Sequence, residues 1–345
     1  MNSHLQAAPD WWKSGLDDIE RLVHTVKKGN VRQIGKSAGN RNMYLFEYGK
    51  RDVYERTANY SSALGCGYIS TYKQNKHPHI LIINGVHGGE WEGIVSSLNL
   101  IHIFETGKDF KGVAYPELAA MPKQAYFAII PSANPDGRAR ITQNTVVGMD
   151  RISFRRLDQG EWKNGEYCEW PDVKKIHPIK DHVNILGAYF NDDGVNLMHD
   201  SFTNPMAEET RVLMQTVDEV APDVILDMHG HGGTGKGHLI PSYHQSTENY
   251  QKCLKLDVML GERLAERGYA WNRVKPIEDR LAVPRFNLDD AMNLTCGAIT
   301  MTYESDQGII YKQGDEQKLK DRHERIYEKH LVLYATVFDF CRENL

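Results

Sequence analysis

Residues 80–90 read Ile-Leu-Ile-Ile-Asn-Gly-Val-His-Gly-Gly-Glu, an apolar run that ends in a turn and two polar side chains. An apolar run bounded by turn residues is typical of a strand buried inside a sheet, and we expect that strand at His79–Val86. Beyond it, apolar residues recur at helical spacing from Trp91 to Phe104. A buried strand that leads through a turn into a helix is a unit of an α/β fold.

Three later segments repeat this pattern of an apolar run that delivers polar residues. They are 125–130 before Asn134-Pro135-Asp136-Gly137, 224–228 before His229, and 298–303 before Glu304. In an open α/β sheet, ligands bind beyond the carboxyl ends of the strands. The sequence therefore predicts a site at which these polar residues meet.

Size and composition are those of an ordinary globular protein. The chain has 345 residues, 41% of them hydrophobic, which suits one large α/β domain or two modest ones. Nothing in the sequence suggests a linker, so we expect one domain over residues 1–345. The net charge is −5, and neither half is strongly biased, which argues against nucleic acid and anionic membranes as main partners.

Several patterns bear on the compartment. No apolar stretch approaches the roughly 18–20 residues of a membrane span, and the first ten residues lack the basic and apolar regions of a signal peptide. The five cysteines are scattered and show no C-x-x-C spacing, which indicates free thiols in a reducing compartment. A cytoplasmic location is expected, and the oligomeric state is left open.

Periodicity predicts the remaining elements. An edge hairpin is expected at Val31–Gly49, strands at Gln124–Ile130, Asp223–Met228, Gly237–Tyr243 and Ala298–Tyr303, and helices at Ser14–Lys28, Pro205–Val220, Glu248–Arg267 and Glu316–Cys341. The long segment from Arg138 to Asp192 has little periodicity but many aromatic residues. We therefore expect it to be packed and to form part of a pocket wall.

The four polar motifs, in their order along the chain, resemble those of the zinc carboxypeptidase family. That family has H-x-x-E, then N-P-D-G, then a strand-terminal histidine, then a glutamate within a strand. The resemblance runs from about Val31 to about Arg342, with residues 1–30 as an N-terminal helical extension. It implies a three-layer α/β/α sandwich with a central mixed, mostly parallel twisted sheet, and a zinc metallopeptidase activity.

The expected ligands of one Zn²⁺ ion per chain are His87, Glu90 and His229. Two neutral imidazoles and one carboxylate suit zinc and leave a coordination position open for water. His231, two residues further on, is the rival of His229. We prefer His229 because it matches the family's strand-terminal ligand and because Gly230 is expected to end the strand.

The resemblance also assigns two catalytic roles. Glu304 is the expected general base, which takes a proton from the zinc-activated water and passes it to the leaving amine. Arg155 matches, loosely, the family's arginine that polarises the scissile carbonyl and stabilises the oxyanion. Arg156, Arg151 and Arg138 are alternatives to Arg155.

The substrate end of the site departs from the family, whose D-x-N-R-N type segment clamps a terminal carboxylate with an Asn-Arg pair. Two registers are possible here. One places Asn196 at the asparagine and Leu197 at the arginine; the other places Asn196 at the aspartate that orients a zinc histidine, with Met198 and His199 at the clamp pair. Either register lacks the arginine, and neither leucine nor a neutral imidazole forms a bidentate ion pair with a carboxylate.

Several replacements for the missing groups are considered. Asn196, Arg138 and His199 are the candidate substrate-binding residues, with Arg280 and Arg285 as further cations. Asp193, Asp200 and Asp227 are candidates for a carboxylate that supports a zinc ligand. The stretch before Glu304 contains no tyrosine that matches the family's substrate-capping tyrosine.

The expected function is hydrolysis of an amide bond in a peptide or acyl-amino-acid substrate. Two alternatives remain: a deacylase or amidase that needs no free terminal carboxylate, and a non-catalytic protein that binds a ligand and keeps the metal. A serine or cysteine hydrolase is disfavoured because the chain has no G-x-S-x-G motif and because Cys296 has no histidine near it in sequence.

Overall fold

The computed structural model describes residues 4–52, 75–233, 235–274 and 286–345. The strands are β1 Asn30–Lys36, β2 Asn42–Tyr48, β3 His79–Asn84, β4 Tyr126–Ile130, β5 Gly160–Trp162, β6 Val183–Leu186, β7 Val224–His231, β8 Gly237–Pro241, β9 Trp271–Asn272 and β10 Ile299–Asp306. The α-helices are α1 Leu16–Val23, α2 Glu92–Thr106, α3 Pro116–Ala120, α4 Pro135–Ala139, α5 Arg151–Asp158, α6 Glu208–Val220, α7 Thr247–Glu266, α8 Leu288–Cys296 and α9 Arg322–Asn344.

Eight of the described strands form one mixed sheet in the order β1-β2-β4-β3-β7-β10-β8-β9. The central neighbours β4, β3, β7 and β10 run parallel to one another. The hairpin β1–β2 and strand β8 join this parallel centre in antiparallel fashion. The expected mixed sheet with a parallel centre is confirmed.

Buried side chains alternate between the two faces of the sheet and form a core on each. In β3, Ile80 and Ile82 belong to the core that includes α2, α7 and α9, whereas Leu81 and Ile83 belong to the core that includes α6 and α8. Successive side chains of a strand point to opposite faces, so a continuous apolar run supplies both cores. The predicted three-layer α/β/α sandwich is therefore confirmed.

Several elements differ from the expectation, among them the end of one strand, the end of one helix and one additional helix. Strand β7 continues through His231, so Gly230 does not end it; β10 runs alongside and pairs Ser305 with Gly230. Helix α1 is shorter than predicted because the backbone N–H groups of residues 27–29 donate to Glu105. Helix α8 was not predicted, although Asn287 caps its start and Gly297 its end.

The segment from Arg138 to Asp192 is packed, as expected. It contains α5, the β5–β6 hairpin and a small core of its own, formed by Cys168, Val173, Ile179, Tyr189 and Phe190. Among the helices of the described residues, none combines the length and apolar character needed to cross a bilayer.

Candidate metal centre and cleft

The three predicted ligands converge at the carboxyl ends of two adjacent strands. His229 belongs to β7, and the turn that follows β3 carries His87 and Glu90. All three side chains are buried, and their ligand atoms lie within 4.8 Å of one another. The Nδ1 atom of His229 is 3.2 Å from Nδ1 of His87 and 2.9 Å from Oε2 of Glu90.

Each imidazole turns its Nδ1 atom toward the centre, and the partner of its Nε2 atom indicates which of the two nitrogens carries the proton. Nε2 of His87 lies 3.2 Å from Oδ1 of Asn196, an oxygen that also accepts the backbone N–H of Met198. Nε2 of His229 lies 3.0 Å from the carboxylate of Asp227. Oxygen acceptors at both outer positions favour protonated Nε2 atoms, so both Nδ1 atoms present lone pairs inward. Two lone pairs and a carboxylate around one point are a donor set that fits Zn²⁺.

The electrostatics of the centre also favour a cation. Burial disfavours ionised Glu90, but the imidazoles of His87 and His229 outweigh burial and lower the pKa of Glu90. Burial likewise disfavours an imidazolium at His229, but Asp227 and Glu90 outweigh it and raise the pKa of His229 well above its usual value. Several carboxylates therefore hold positive charge at this point.

His231, the rival ligand, is directed elsewhere. Its Nε2 atom lies 2.6 Å from the carbonyl oxygen of Lys236, and the backbone N–H of Gly233 donates to its Nδ1 atom. Both ring nitrogens are thus used outside the centre, which supports the choice of His229.

A close approach between two motifs explains the first glycine of the His87–Glu90 turn. A Cβ atom on Gly88 would lie 2.2 Å from the carbonyl carbon of Gly137 and 2.3 Å from the backbone nitrogen of Arg138. A side chain at Gly88 would therefore displace the backbone of helix α4. The backbone of the N-P-D-G segment therefore packs directly against the turn that carries His87 and Glu90.

Glu304 lies on the next strand of the sheet. Its register partner in β7 is His229, and β7 and β10 are parallel neighbours, so Glu304 and His229 stand side by side. Burial and the negative charges of Glu90 and Asp227 raise the pKa of Glu304 to about 7. A carboxyl group with a pKa near neutral can both accept and donate a proton at neutral pH.

A cleft of about 450 Å³ opens over the metal centre and Glu304. Its lining includes His87, His229, Glu304, Trp170, Lys174, Tyr189, Met198, His199, Ile240, Tyr243, Phe286, Asn287 and Thr302. Trp170, Ile240 and Phe286 give this lining large apolar surfaces, which alternate with polar side chains. Sequence reasoning missed Lys174 and Tyr189, which belong to the long aperiodic segment; its aromatic content was the signal that pointed to that segment.

Tyr189 makes the closest aromatic contact with the centre. Its ring stacks on the imidazole of His87, with ring centres 3.5 Å apart and planes 11° from parallel. The backbone N–H of Tyr189 donates to the carbonyl of Asp158 at 2.7 Å, and the preceding carbonyl, that of Ala188, accepts the N–H of Gly88 at 2.8 Å. The tyrosine is therefore tied to the metal turn through both ring and backbone.

The two predicted arginines have other contacts. Arg155, on α5, forms an ion pair with Glu169, and it is not among the residues that line the cleft. Arg138 is buried, donates to the carbonyl oxygens of Ser14 and Ile141, and lies over the ring of Trp91. Neither arginine is among the residues that line the cleft, and their catalytic and substrate-binding roles stay predictions.

The contacts of Asn196 favour the second of the two registers. Asn196 supports His87, as the family's aspartate would, and Met198 and His199 line the cleft where the clamp pair is expected. Burial lowers the pKa of His199 to about 3, so its imidazole is neutral. Of the candidate supporting carboxylates, Asp227 is the one beside a ligand. Arg280 and Arg285 lie outside the described residues.

Comparison with known proteins adds two findings. The family model described as zinc carboxypeptidase matches residues 22–273, a range that contains His87, Glu90 and His229 and ends before Glu304. No curated protein matches the chain at a significant level.

Solved structures that resemble this fold include three carboxypeptidase-related proteins. Carboxypeptidase A from Helicoverpa armigera is 14% identical, with 98% of this chain and 76% of that chain covered and a TM-score of 0.56. Bovine thrombin-activatable fibrinolysis inhibitor, in complex with tick carboxypeptidase inhibitor, is 14% identical, with coverages of 98% and 100% and a TM-score of 0.58. A metallo-carboxypeptidase from Pseudomonas aeruginosa, in complex with (2-guanidinoethylmercapto)succinic acid, is 15% identical, with coverages of 94% and 68% and a TM-score of 0.52. At such identities the likeness concerns the fold.

Proposed function

We propose, from the fact that the chain belongs to the zinc carboxypeptidase family, that it hydrolyses an amide bond in a peptide or acyl-amino-acid substrate. Family membership makes the chain a zinc metallopeptidase. The proposal adds the residues that act, the kind of substrate, and the assignment of residues 1–345 to one catalytic domain.

His87, Glu90 and His229 would hold the ion, and their inward-facing donor atoms support this assignment. When bound, zinc supplies Lewis acidity that lowers the pKa of a coordinated water from about 15.7 toward about 7. Asn196 and Asp227 hold the two imidazoles in the tautomer that coordination requires.

Glu304 carries the proton in the proposed reaction. It accepts a proton from the attacking water as the new C–O bond forms, and it returns that proton to the amide nitrogen as the C–N bond breaks. The products are a carboxylic acid and an amine, so one water is consumed per bond. The half-buried position of Glu304 in the cleft suits this exchange.

One observation supports the catalytic reading above all others. Glu304 is the parallel register partner of the metal ligand His229, and both side chains line the same cleft. A protein that only bound the metal would have no use for a carboxylate of raised pKa at this point.

The cleft walls support a substrate with a large apolar residue. Trp170, Ile240 and Phe286 are among the lining residues, and they favour an aromatic or aliphatic side chain. Lys174 is the only lysine or arginine among the described residues that line the cleft, and its Nζ atom lies 4.7 Å from the centre of the Trp170 ring. An anionic substrate group is best placed near Lys174.

A second candidate function follows from the residues at the clamp position. Met198 and the neutral His199 offer no bidentate partner for a terminal carboxylate. A deacylase or amidase that accepts a blocked or absent carboxylate would need no such partner.

A mixed library separates the two candidates. It contains peptides and N-acyl amino acids, each with a free and an amidated carboxyl end, and is incubated with zinc-loaded protein with and without chelator. Products are identified by mass spectrometry. Glu304→Gln, which keeps the shape of the side chain but cannot accept the proton, is the matched control.

The outcomes differ clearly. Chelator-sensitive loss of terminal residues from free ends alone supports a carboxypeptidase, and cleavage that ignores amidation supports the deacylase or amidase. No cleavage of any library member by zinc-loaded protein, or equal cleavage by Glu304→Gln, would refute the proposed function.

A further inference from the structure

Arg155, the predicted oxyanion donor, forms an ion pair with Glu169 and is not among the residues that line the cleft. We propose that the hydroxyl group of Tyr189 donates the hydrogen bond that polarises the scissile carbonyl and stabilises the oxyanion. This inference rests on the proposed hydrolysis and assigns a further catalytic residue to it.

Tyr189 is in position for this role because of its contact with the metal centre. Its ring is stacked face to face on His87, so the phenol lies in a plane parallel to the imidazole and borders the same cleft as His229 and Glu304. Tyr189 is buried, with 8% of the residue exposed. Within the described part of the chain, its hydroxyl group donates to no other residue, and a donor of this kind remains available to a substrate oxygen.

The backbone of Tyr189 holds this position firmly. The carbonyl of Ala188 accepts the N–H of Gly88 at 2.8 Å, and the N–H of Tyr189 donates to Asp158 at 2.7 Å. Gly88 lies between the ligands His87 and Glu90, so any movement of the tyrosine would also move the metal turn. A donor that is fixed before the substrate arrives needs no reorganisation during the reaction.

The other donors that line the cleft are less suited. Thr302 donates its hydroxyl group to Asp289, and the Asn287 side chain caps helix α8. Tyr243 follows β8, which lies on the far side of β10 from β7. The neutral imidazole of His199 lies at the clamp position. Tyr189 is the one of these residues whose ring contacts a metal ligand.

The chemistry requires no change in the protonation of Tyr189. An unperturbed tyrosine has a pKa of about 10, so its hydroxyl group is a neutral donor at pH 7. As water adds to the carbonyl carbon, negative charge grows on the carbonyl oxygen, and the O–H of Tyr189 donates to it more strongly. When the C–N bond breaks, the oxygen returns to a carbonyl and the hydrogen bond weakens.

Tyr189→Phe removes the hydroxyl group and keeps the ring that stacks on His87. With N-benzoylglycyl-phenylalanine as probe, kcat should fall about 10²- to 10³-fold, as for loss of an oxyanion donor. KM should change by less than about threefold, because the donor acts on the transition state. Affinity for the phosphinate analogue of the probe, measured by calorimetry, should fall about 10²-fold.

Three controls accompany this variant. Zinc content and thermal melting should equal those of the wild type, which excludes a purely structural loss. Tyr167→Phe removes an exposed hydroxyl group away from the cleft and should change nothing. Tyr243→Phe tests the rival phenol and should lower kcat far less than Tyr189→Phe does.

The outcomes distinguish this inference from the proposed function. If the wild type hydrolyses the probe and Tyr189→Phe retains its kcat and its phosphinate affinity, the inference is wrong and the function stands. If Tyr243→Phe shows the larger loss, the donor is Tyr243 and the inference is also wrong. A zinc-loaded wild-type protein that cleaves no member of the mixed library and does not bind the phosphinate overturns both.

Discussion

The metal end and the recognition end of the cleft are built in different ways. The metal end stands on three adjacent parallel strands, β3, β7 and β10, which deliver His87, His229 and Glu304 within one sheet. The recognition end is formed mostly by residues outside the sheet, such as Trp170, His199 and Phe286. Hydrogen-bonded strands fix positions closely, whereas connecting segments tolerate change. This difference gives a physical reason why the family's metal and glutamate motifs are present here while its clamp arginine is not.

Loss of a zinc ligand should have the largest effect on hydrolysis, and it should disrupt the metal end without changing the recognition end. His229→Ala leaves two ligands, so we expect zinc to be lost and hydrolysis to fall below detection. The matched control is His231→Ala, which should keep both the zinc and the activity, because the His231 imidazole contacts the carbonyl oxygen of Lys236 instead. Zinc content by atomic spectroscopy and a peptidase assay check both variants. Equal zinc loss in the two variants would contradict the assignment.

Asp227→Asn should weaken the metal end without dismantling it. The carboxylate of Asp227 supports His229 from 3.0 Å, and loss of such support typically lowers metal affinity about 10- to 100-fold. Competition with a chromogenic chelator measures the change. The control is Asp181→Asn, which removes an exposed carboxylate elsewhere in the chain and should leave the zinc affinity unchanged. An unchanged affinity in Asp227→Asn would show that Asp227 does not support the ligand.

Lys174→Gln should affect the recognition end and leave the chemistry intact. If Lys174 binds an anionic substrate group, KM for substrates with a free carboxylate should rise about tenfold, the loss expected for a charge-assisted hydrogen bond. Amidated substrates should be unaffected, as should kcat. The neighbouring Lys175, which pairs with Asp172 and lies outside the cleft lining, supplies the control Lys175→Gln. An equal rise in KM for amidated substrates would argue against a charge interaction.

The smallest effect should come from the ion pairs that Asp192 forms with Arg41 and Arg140. Burial raises the pKa of Asp192, but hydrogen bonds from Arg41 and Arg140 outweigh it, and the net pKa is lowered. The stabilisation is therefore present above the ordinary aspartate pKa of about 3.9 and is lost as the pH falls through the lower folded-state value. Because Asp192 is 35% exposed, the contribution is about 1 kcal/mol or less.

Urea denaturation of the wild type and Asp192→Asn between pH 2 and pH 7 tests this prediction. The two proteins should differ in unfolding free energy at pH 7 and converge at low pH. A difference that persists at the lowest pH would mean that the charge of Asp192 is not its cause.

The order of the polar motifs was sufficient to predict the sheet and most of the metal end. The spacing of His87 and Glu90 at the end of an apolar run indicated a metal-binding pair, whereas His229 and Glu304 were predicted because the order of the motifs resembles that of the zinc carboxypeptidase family. Strand β7 runs beyond its predicted end because β10 continues to pair with it. Local sequence does not report how far a neighbouring strand runs.

The sequence by itself determined the layers of the fold, the donor set for zinc and the absence of the clamp arginine. Tertiary structure alone decided which of several similar residues lie at the cleft. It turned Arg155 toward Glu169, bound Arg138 to the backbone of Ser14, and stacked Tyr189 on His87. Periodicity encodes which face of an element is buried, but an irregular segment such as 138–192 has no period. The positions of its side chains depend on long-range contacts, and those exist only once the chain has folded.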